Sequence, residues 1–165
     1  MIERGVRFAI SGAVFAADRG SKYWIEQNVS AFDTLTVVPG VFHIIHAQNR
    51  GAAFGFLNQN EGPFRVFLLI GVSSVILAYV ALQLWRMPKA MWPQESLTAA
   101  ALAMVFGGAL GNLFDRIVRG SVTDFLQVFI GTYEWPSFNV ADSAITVGAC
   151  LLFLALWRAK PQPVT

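Results

Sequence analysis

Three long apolar segments, with one charged side chain among them, constrain the fold of this chain more than any other feature. Residues 66–85 and 96–114 contain no charged side chain, and residues 138–157 contain only Asp142, near the start of the segment. About 20 apolar residues in a helix cross the hydrocarbon core of a bilayer, and a helix satisfies its own backbone hydrogen bonds there. The sequence therefore predicts a mainly α-helical membrane protein with spans over these segments.

The composition agrees with a membrane protein and excludes other classes. Hydrophobic residues make up 55% of the 165 residues and charged residues 13%, whereas about 25% of a soluble domain is charged. These fractions exclude a disordered chain and an ordinary soluble enzyme, and the single cysteine, Cys150, excludes an intrachain disulfide scaffold. The twelve lysines and arginines are scattered in ones and twos, so the sequence predicts no nucleic-acid partner.

A weaker apolar segment precedes these three, over residues 8–25. Its uncharged part ends at Asp18, and Lys22 follows about one helical turn later. One interpretation is a secretory signal peptide, since basic residues precede a short apolar run that ends in small residues. The other is a helix in which Asp18 and Lys22, four residues apart, pair on one face. We favour the helix, which predicts four transmembrane spans in a single domain over residues 1–165.

Four spans place both termini on the same side of the membrane, and the basic residues indicate which side. The N-terminal segment, the 86–95 loop and the C-terminal tail hold six lysines and arginines, while the two longer segments opposite hold four. Because short cytoplasmic segments are enriched in basic residues, we predict cytoplasmic termini. The six are Arg4, Arg7, Arg86, Lys89, Arg158 and Lys160, and the four are Arg50, Arg65, Arg116 and Arg119.

The two segments on the outer side have the composition of β-strands. Residues 28–63 contain β-branched and aromatic residues interrupted by Pro39-Gly40, a pattern that predicts a two-stranded element at the membrane surface. Residues 120–133 have a similar composition. If the two segments pair, they form a small sheet across the outer face.

Glycines mark two further places of close approach. Gly107, Gly108 and Gly111 lie at the spacing that allows helices to pack closely in a membrane. Gly51 follows Asn49 in the stretch NRGAAFG. That stretch indicates a turn in which the backbone comes near another group.

The predicted topology brings four aspartates from distant parts of the chain to the outer side. Ionisable groups at membrane depth are costly, and they mark either a functional site or an ion pair. A purely structural role stays open for three of the four, whereas Asp124 has no adjacent cation. The structural interpretations are an Asp18–Lys22 ion pair, an Asp115–Arg116 ion pair, and a helix start capped by Asn139 with Asp142 as its third residue.

Metal and thiol chemistry have little support in the sequence. His43 and His46 stand without a second pair of nitrogen or sulfur ligands. Cys150 lies in an apolar segment without a histidine in the same region, so a cysteine–histidine nucleophile is not indicated. We therefore predict no metal ion and no cofactor.

Paired aspartates could carry out hydrolysis without a metal ion or a cofactor. Two carboxylates held close together share one proton, because ionising both is costly. The ionised carboxylate activates a water molecule, while the protonated one hydrogen-bonds the scissile carbonyl and later protonates the amine. Asp124 and Asp142 are the best pair by position, since both lie on the outer side and close to the fourth predicted span.

Five motifs occur in order along residues 18–145, which is nearly the whole chain. They are Asp18-Arg-Gly-Ser-Lys22, Asn49-Arg-Gly-Ala-Ala-Phe-Gly55, Gly107-Gly-Ala-Leu-Gly-Asn-Leu-Phe-Asp-Arg116, Gly120-Ser-Val-Thr-Asp-Phe125 and Phe138-Asn-Val-Ala-Asp-Ser-Ala-Ile145. This ordered set resembles the bacterial lipoprotein signal peptidases, also called the signal peptidase II family. The resemblance implies four transmembrane helices with a small extracytoplasmic β-cradle formed by the outer loops.

The same resemblance implies an intramembrane aspartic endopeptidase of the bacterial cytoplasmic (inner) membrane. Such enzymes remove the signal peptide from diacylglyceryl-modified prolipoproteins by cleaving before the lipidated cysteine, so substrate and membrane lipid are the expected partners of a monomer. The catalytic pair would be Asp124 and Asp142, near the outer face. The supporting residues would be Asp18, Lys22, Asn49, Gly51, Asn112, Asp115, Arg116, Asn139 and Ala141.

One alternative function is conduction of protons or ions, with the aspartates acting as a relay. A relay predicts ionisable groups along the whole membrane depth, but residues 66–85 hold none and the other segments concentrate theirs near one face. A second alternative is a scaffold that binds a partner helix through its glycine face, which leaves the outer aspartates unexplained. Cleavage of a lipidated substrate without an ion gradient distinguishes a protease from a relay.

Overall fold

The computed structural model describes residues 3–51, 63–89 and 93–158. These residues form four helices and four strands. The helices are α1 (Arg4–Asn28), α2 (Pro63–Arg86), α3 (Pro93–Arg119) and α4 (Val140–Trp157), and the strands are β1 (Leu35–Val38), β2 (Phe42–Asn49), β3 (Val122–Ile130) and β4 (Tyr133–Phe138). Residues 52–55 of the second motif and Lys160 lie outside the described residues.

Three of the described helices are long and apolar enough to cross a membrane. These stretches are Val66–Arg86, Glu95–Arg119 and Val140–Trp157, with mean hydropathies of 2.3, 1.7 and 1.9. The three long apolar segments are thus confirmed as membrane-capable helices. The first helix, α1, is 25 residues long and runs without a break through Asp18 and Lys22, as the helical interpretation predicted, and it carries six charged side chains.

The third helix lies at the centre of the bundle, because α3 packs against α1, α2 and α4. Its glycines allow this close approach. A Cβ atom on Gly107 would lie 2.5 Å from the backbone oxygen of Ser11 in α1, and one on Gly108 would lie 2.5 Å from the backbone oxygen of Ala141 in α4. The close packing predicted from the glycine spacing is therefore confirmed.

We expect Gly108→Ala to destabilise the protein by about 1–3 kcal/mol, the usual cost of forcing extra volume into a packed site. The new methyl group would push on the backbone of α4 at Ala141, so the start of that helix must shift. Gly71→Ala is the matched control, because nothing lies within 4 Å of its Cβ position in α2. Thermal melting in detergent measures both variants, and equal melting temperatures would contradict the packing argument.

The bundle has two ends of different character. At one end, which we call the basic end, the start of α1 meets the end of α2. There the buried guanidinium of Arg7 donates to the backbone oxygens of Leu84 (3.2 Å), Met87 (2.7 Å) and Pro88. This bond set caps the C-terminus of α2, whose last carbonyls have no partners within the helix. At the other end, the sheet end, the second half of α1 meets the end of α3 and the start of α4.

The strands form one antiparallel sheet in the order β1-β2-β3-β4. The first hairpin turns at Gly40, whose φ of 71° is the left-handed conformation that glycine adopts readily, as Pro39-Gly40 predicted. β2 then pairs with β3, with Ala47 opposite Asp124. The two strand-like segments found in the sequence therefore do pair. Ile25, Val29 and Phe125 form the buried cluster that attaches this sheet to α1.

The start of the fourth apolar segment differs from the prediction. Residue 138 was predicted to open the fourth span, but Phe138 ends strand β4, and α4 begins at Val140 after its cap, Asn139. β4 pairs with β3 through Leu126 opposite Phe138 and Ile130 opposite Tyr133. No strand was predicted over these residues. The other helices extend beyond their predicted limits, most of all α3, which continues to Arg119.

Candidate active site

The first turn of α4 is held by two caps, one from its own chain segment and one from α1. Asn139 Oδ1 accepts a hydrogen bond from the Asp142 amide at 2.9 Å, and the Asp142 carboxylate accepts one from the Asn139 amide at 3.3 Å. Asp18 Oδ1 accepts a hydrogen bond from the Ala141 amide at 3.0 Å. The predicted capping role of Asn139 and Asp142 is therefore confirmed. It places the Asp142 carboxylate where the helix dipole favours negative charge.

Asp124 lies on β3 and is only 2% exposed. Asn139 Nδ2 donates to its Oδ1 at 2.7 Å, and Asn49 Nδ2 donates to its Oδ2 at 2.9 Å. Both carboxylate oxygens are thus oriented by amide groups. Since Asn139 also accepts from the Asp142 amide, a single asparagine joins the segments that carry the two aspartates.

The environment of Asp124 favours its protonated form. The pKa of Asp124 is raised from its ordinary value of 3.8 to about 6, mainly by burial and also by the nearby charge of Asp142, while the hydrogen bonds from Asn49 and Asn139 act in the opposite direction. The two carboxylates are therefore close enough to influence each other. A carboxyl group whose pKa lies this close to neutral pH is suited to proton transfer.

We expect the raised pKa of Asp124 to make stability fall as pH rises. Between its ordinary pKa of 3.8 and about 6, the folded protein keeps a proton that the unfolded chain has lost. The stabilising contribution is therefore fully present below the ordinary value and is lost as pH rises through about 6. The measurement is the melting temperature of both proteins at about pH 4 and about pH 7. The melting temperature of Asp124→Asn relative to that of the wild type should be higher at the higher pH. A constant difference between the two proteins would contradict this prediction.

Asn112 connects Asp142 with a buried cation. Its Nδ2 donates to Asp142 Oδ1 at 2.7 Å, while its Oδ1 accepts from Lys22 Nζ at 2.9 Å and from Asn139 Nδ2 at 3.3 Å. Because two donors hold the oxygen of this amide, its nitrogen faces the carboxylate. Lys22 therefore fixes the orientation of a group that contacts Asp142.

A buried ion-pair cluster lies behind Asn112. Lys22 Nζ lies 2.8 Å from Asp18 Oδ2 and 2.8 Å from Asp115 Oδ2, and all three side chains are at most 1% exposed. The predicted Asp18–Lys22 pair is confirmed. Asp115 also pairs with Arg19 and, at 3.4 Å, with Arg119.

The predicted pair between Asp115 and Arg116 is wrong. Adjacent residues of a helix do not face each other, so Asp115 points toward α1 while Arg116 points elsewhere. Arg116 donates to the backbone oxygens of Asn112 at 3.3 Å and of Gly51 at 3.1 Å. Gly51 in turn donates its amide to Asn49 Oδ1 at 2.9 Å. The turn after β2 is thus attached to α3, which agrees with the close approach predicted at Gly51.

The contacts bring all the predicted site residues into one connected cluster. The guanidinium of Arg116 also lies within electrostatic range of both Asp124 and Asp142. The cluster contains Asp18, Lys22, Asn49, Gly51, Asn112, Asp115, Arg116, Asp124, Asn139, Ala141 and Asp142.

Further polar residues next to the cluster were not found from the sequence. Glu26 accepts a hydrogen bond from the Thr123 hydroxyl at 2.9 Å and pairs with Arg119. Gln48 donates to the same hydroxyl at 3.2 Å. The signal for Glu26 was available, because it follows Lys22 by four residues and so lies on the same helix face. Thr123 gave no such signal, since its role depends on the position of α1 against β3.

The histidines have other partners. His46 Nδ1 lies 2.9 Å from the backbone oxygen of Val29, and its other ring nitrogen lies 3.0 Å from Gln48 Nε2. The ring of His43 packs against Phe129, with 5.1 Å between centroids. Within the described ranges, no three histidine, cysteine or acidic residues form a group that could hold a metal ion.

Helices able to cross a membrane, with a cluster of buried carboxylates at one end, are the features expected of an intramembrane protease of the aspartic type. A family model described as Signal peptidase (SPase) II matches residues 10–158. The chain therefore belongs to the signal peptidase II family. Its five sequence motifs had indicated the same family, and this identification is confirmed.

Relatives and a solved structure agree with the family. A lipoprotein signal peptidase of Solibacter usitatus is 41% identical over 94% of this chain and 92% of its own length. One from Geobacter sulfurreducens is 43% identical over 87% of this chain and 86% of its own length. A solved structure described as a bacterial membrane enzyme, determined by the in meso method at 2.3 Å resolution, has a TM-score of 0.81 and 29% identity, covering 98% of this chain and 95% of the other.

Proposed function

We propose that this chain removes signal peptides from diacylglyceryl-modified prolipoproteins, with Asp124 and Asp142 as its catalytic pair. The shared name of its relatives, lipoprotein signal peptidase, supports the substrate class. The observation that carries the catalytic pair is Asn139, which donates to the Asp124 carboxylate and accepts from the Asp142 amide. An arrangement that orients two carboxylates together suits a reaction in which they share one proton.

The two aspartates receive different roles from their surroundings. Asp142 lies at a helix N-terminus, which favours negative charge, so it acts as the base that removes a proton from water. Asp124, with a pKa of about 6, holds the shared proton and donates a hydrogen bond to the carbonyl oxygen of the scissile bond.

The reaction then follows in two steps. The hydroxyl of the activated water bonds to the carbonyl carbon, the carbonyl oxygen gains negative charge, and Asp124 stabilises it by its hydrogen bond. When the carbon–nitrogen bond breaks, a carboxyl group of the pair transfers a proton to the amine of the lipidated cysteine. The products are a signal peptide with a free carboxyl group and a lipoprotein with a free amine. Arg116, whose charge acts on both aspartates, adds a cation beside the developing negative charge.

The direct test of this function is cleavage of a purified substrate. The protein in detergent should shorten a diacylglyceryl-modified prolipoprotein and release its signal peptide, without an ion gradient. The same prolipoprotein without the diacylglyceryl group is the matched control, and we expect little cleavage of it. Absence of cleavage of the lipidated substrate would overturn the proposal. The ion-relay alternative is not favoured, because the chain belongs to a peptidase family.

The proposal includes the arrangement in the membrane. α1 would be the first of four spans in one domain over residues 1–165, the sheet would form an extracytoplasmic cradle, and the site would lie near the outer face of the bacterial inner membrane. The clustering of Arg7, Arg86 and Lys89 at the basic end supports cytoplasmic termini.

Reporter fusions test this topology. We expect fusions at residue 90 and at the C-terminus to report the cytoplasm, and a fusion near residue 60 to report the outside. The reason is that short segments rich in basic residues stay on the cytoplasmic side of the membrane. A cytoplasmic signal from the fusion near residue 60 would show that the four-span arrangement is incorrect.

A further inference from the structure

A charged groove lies at the basic end of the bundle, opposite the carboxylate site. It has a volume of about 410 Å³, which is within the usual range for a small-ligand site, roughly 300–1,000 Å³. Its lining contains four cationic side chains and one carboxylate, a formal net charge of +3. The lining residues are Glu3, Arg4, Arg7, Arg86, Met87, Pro88 and Lys89.

The cations of this groove come from two separate helices and the segment that follows α2. Arg7 is buried and held by the carbonyl groups at the end of α2. Arg4 lies over the ring of Trp85, 4.4 Å from its centroid. Lys89 pairs with Glu3 at 2.5 Å, and both side chains of that pair are more than half exposed. Membrane orientation requires these basic residues to lie on the cytoplasmic side, but it does not require them to line one groove.

The groove lies where the hydrocarbon core ends. The apolar stretch of α2 runs over Val66–Arg86, so Arg86 and Lys89 fall at the level of the lipid headgroups. Trp85 is 57% exposed, and its ring packs beside Phe8 with 6.4 Å between centroids. A lipid bound here would place its phosphate among the cations and its acyl chains along these two aromatic side chains.

We propose that this groove binds the phosphate group of an anionic membrane lipid. Basic pockets between transmembrane helices recognise such headgroups. Arg86 and Lys89 supply hydrogen-bond donors and positive charge to the phosphate, and Arg4 extends the cationic wall. The site is separate from the carboxylate cluster, so it does not depend on the proposed function.

Competition between two lipids tests the proposal. The purified protein is mixed with equal amounts of dioleoylphosphatidylglycerol and dioleoylphosphatidylcholine, and native mass spectrometry measures the ratio bound. We expect the wild type to prefer phosphatidylglycerol. In the double variant Arg86→Gln, Lys89→Gln, the ratio of bound phosphatidylglycerol to bound phosphatidylcholine should fall about fivefold for each cation removed. The control is Arg158→Gln, because Arg158 is exposed and caps the C-terminus of α4 outside the groove. This variant should keep the preference.

A second variant and a second competitor complete the test. Arg4→Gln leaves the Glu3–Lys89 pair in place and should lower the preference about fivefold, so the proposal can be tested even if the double variant does not fold. Inorganic phosphate at millimolar concentration should not displace the bound lipid. Displacement by phosphate alone would indicate a free-phosphate site and overturn the proposal. An unchanged preference in both groove variants, or an equal loss in Arg158→Gln, would also overturn it.

Discussion

Asp124→Asn and Asp142→Asn should each lower the rate of signal-peptide cleavage by about 10²–10⁴-fold, the usual loss when a general acid or base is removed. The double variant should be scarcely slower than either single variant, because members of one catalytic unit are not additive. Asparagine preserves size and one acceptor oxygen, but it can neither share the proton nor accept one from water. Steady-state cleavage by the purified proteins measures all three effects.

The structure makes the test at Asp142 more specific, because the Asp142 carboxylate accepts hydrogen bonds from both the Asn112 side chain and the Asn139 amide. Asparagine at position 142 must turn its NH2 group toward one of these donors, which costs about 1–3 kcal/mol of stability. A capping role alone therefore predicts a lower melting temperature with turnover near normal. Turnover within a few-fold of the wild type would exclude the catalytic pair. Asp33→Asn, at an exposed position outside the site, should change neither property.

Lys22→Met should lower the free energy of unfolding by about 3–5 kcal/mol, the usual cost of leaving buried charges without their partner. Methionine fills similar space but leaves the carboxylates of Asp18 and Asp115 without the ammonium group between them. Cleavage should fall as well, because Lys22 holds the oxygen of Asn112 and so turns its nitrogen toward Asp142. Unfolding in detergent and the amount of folded protein in the membrane measure the first effect.

A compensating change distinguishes lost charge balance from lost packing. Adding Asp18→Asn to Lys22→Met should restore part of the stability, because the amide is neutral yet its oxygen can still accept from the Ala141 amide. The exposed Arg158→Met serves as the control and should melt like the wild type. If Lys22→Met itself melts like the wild type, the cluster does not hold the helices together.

The parts of the fold that were predictable depend on local sequence. Hydropathy over 20 residues predicted the apolar helices, and the four-residue spacing of Asp18 and Lys22 predicted their ion pair. β4 was not predicted, because its six residues include Glu134 and Pro136 and it is a strand only by pairing with β3. Its formation depends on a neighbour, and the sequence of the segment itself does not contain that information.

The contacts of the site also divide into those that local sequence predicts and those that depend on packing between distant segments. The capping box spans residues that are three apart, so it could be read from the sequence. The partners of Asp115 could not, since Lys22 and Arg19 come from a helix more than 90 positions earlier in the chain. The motifs predicted the residues of this cluster, and the packing of α1 against α3 determines which partners Asp115 contacts.

The bond between Asp18 and the Ala141 amide, 123 positions apart, has a consequence for the order of biosynthesis. A ribosome delivers α1 to the membrane long before α4, so the nascent protein lacks Asp142 and the carboxylate of Asp18 has no helix end to cap. We therefore expect the protein to be inactive until the last helix docks against the first, because the proposed catalytic pair is incomplete before that step. We expect chains that stop short of that helix to have no cleavage activity.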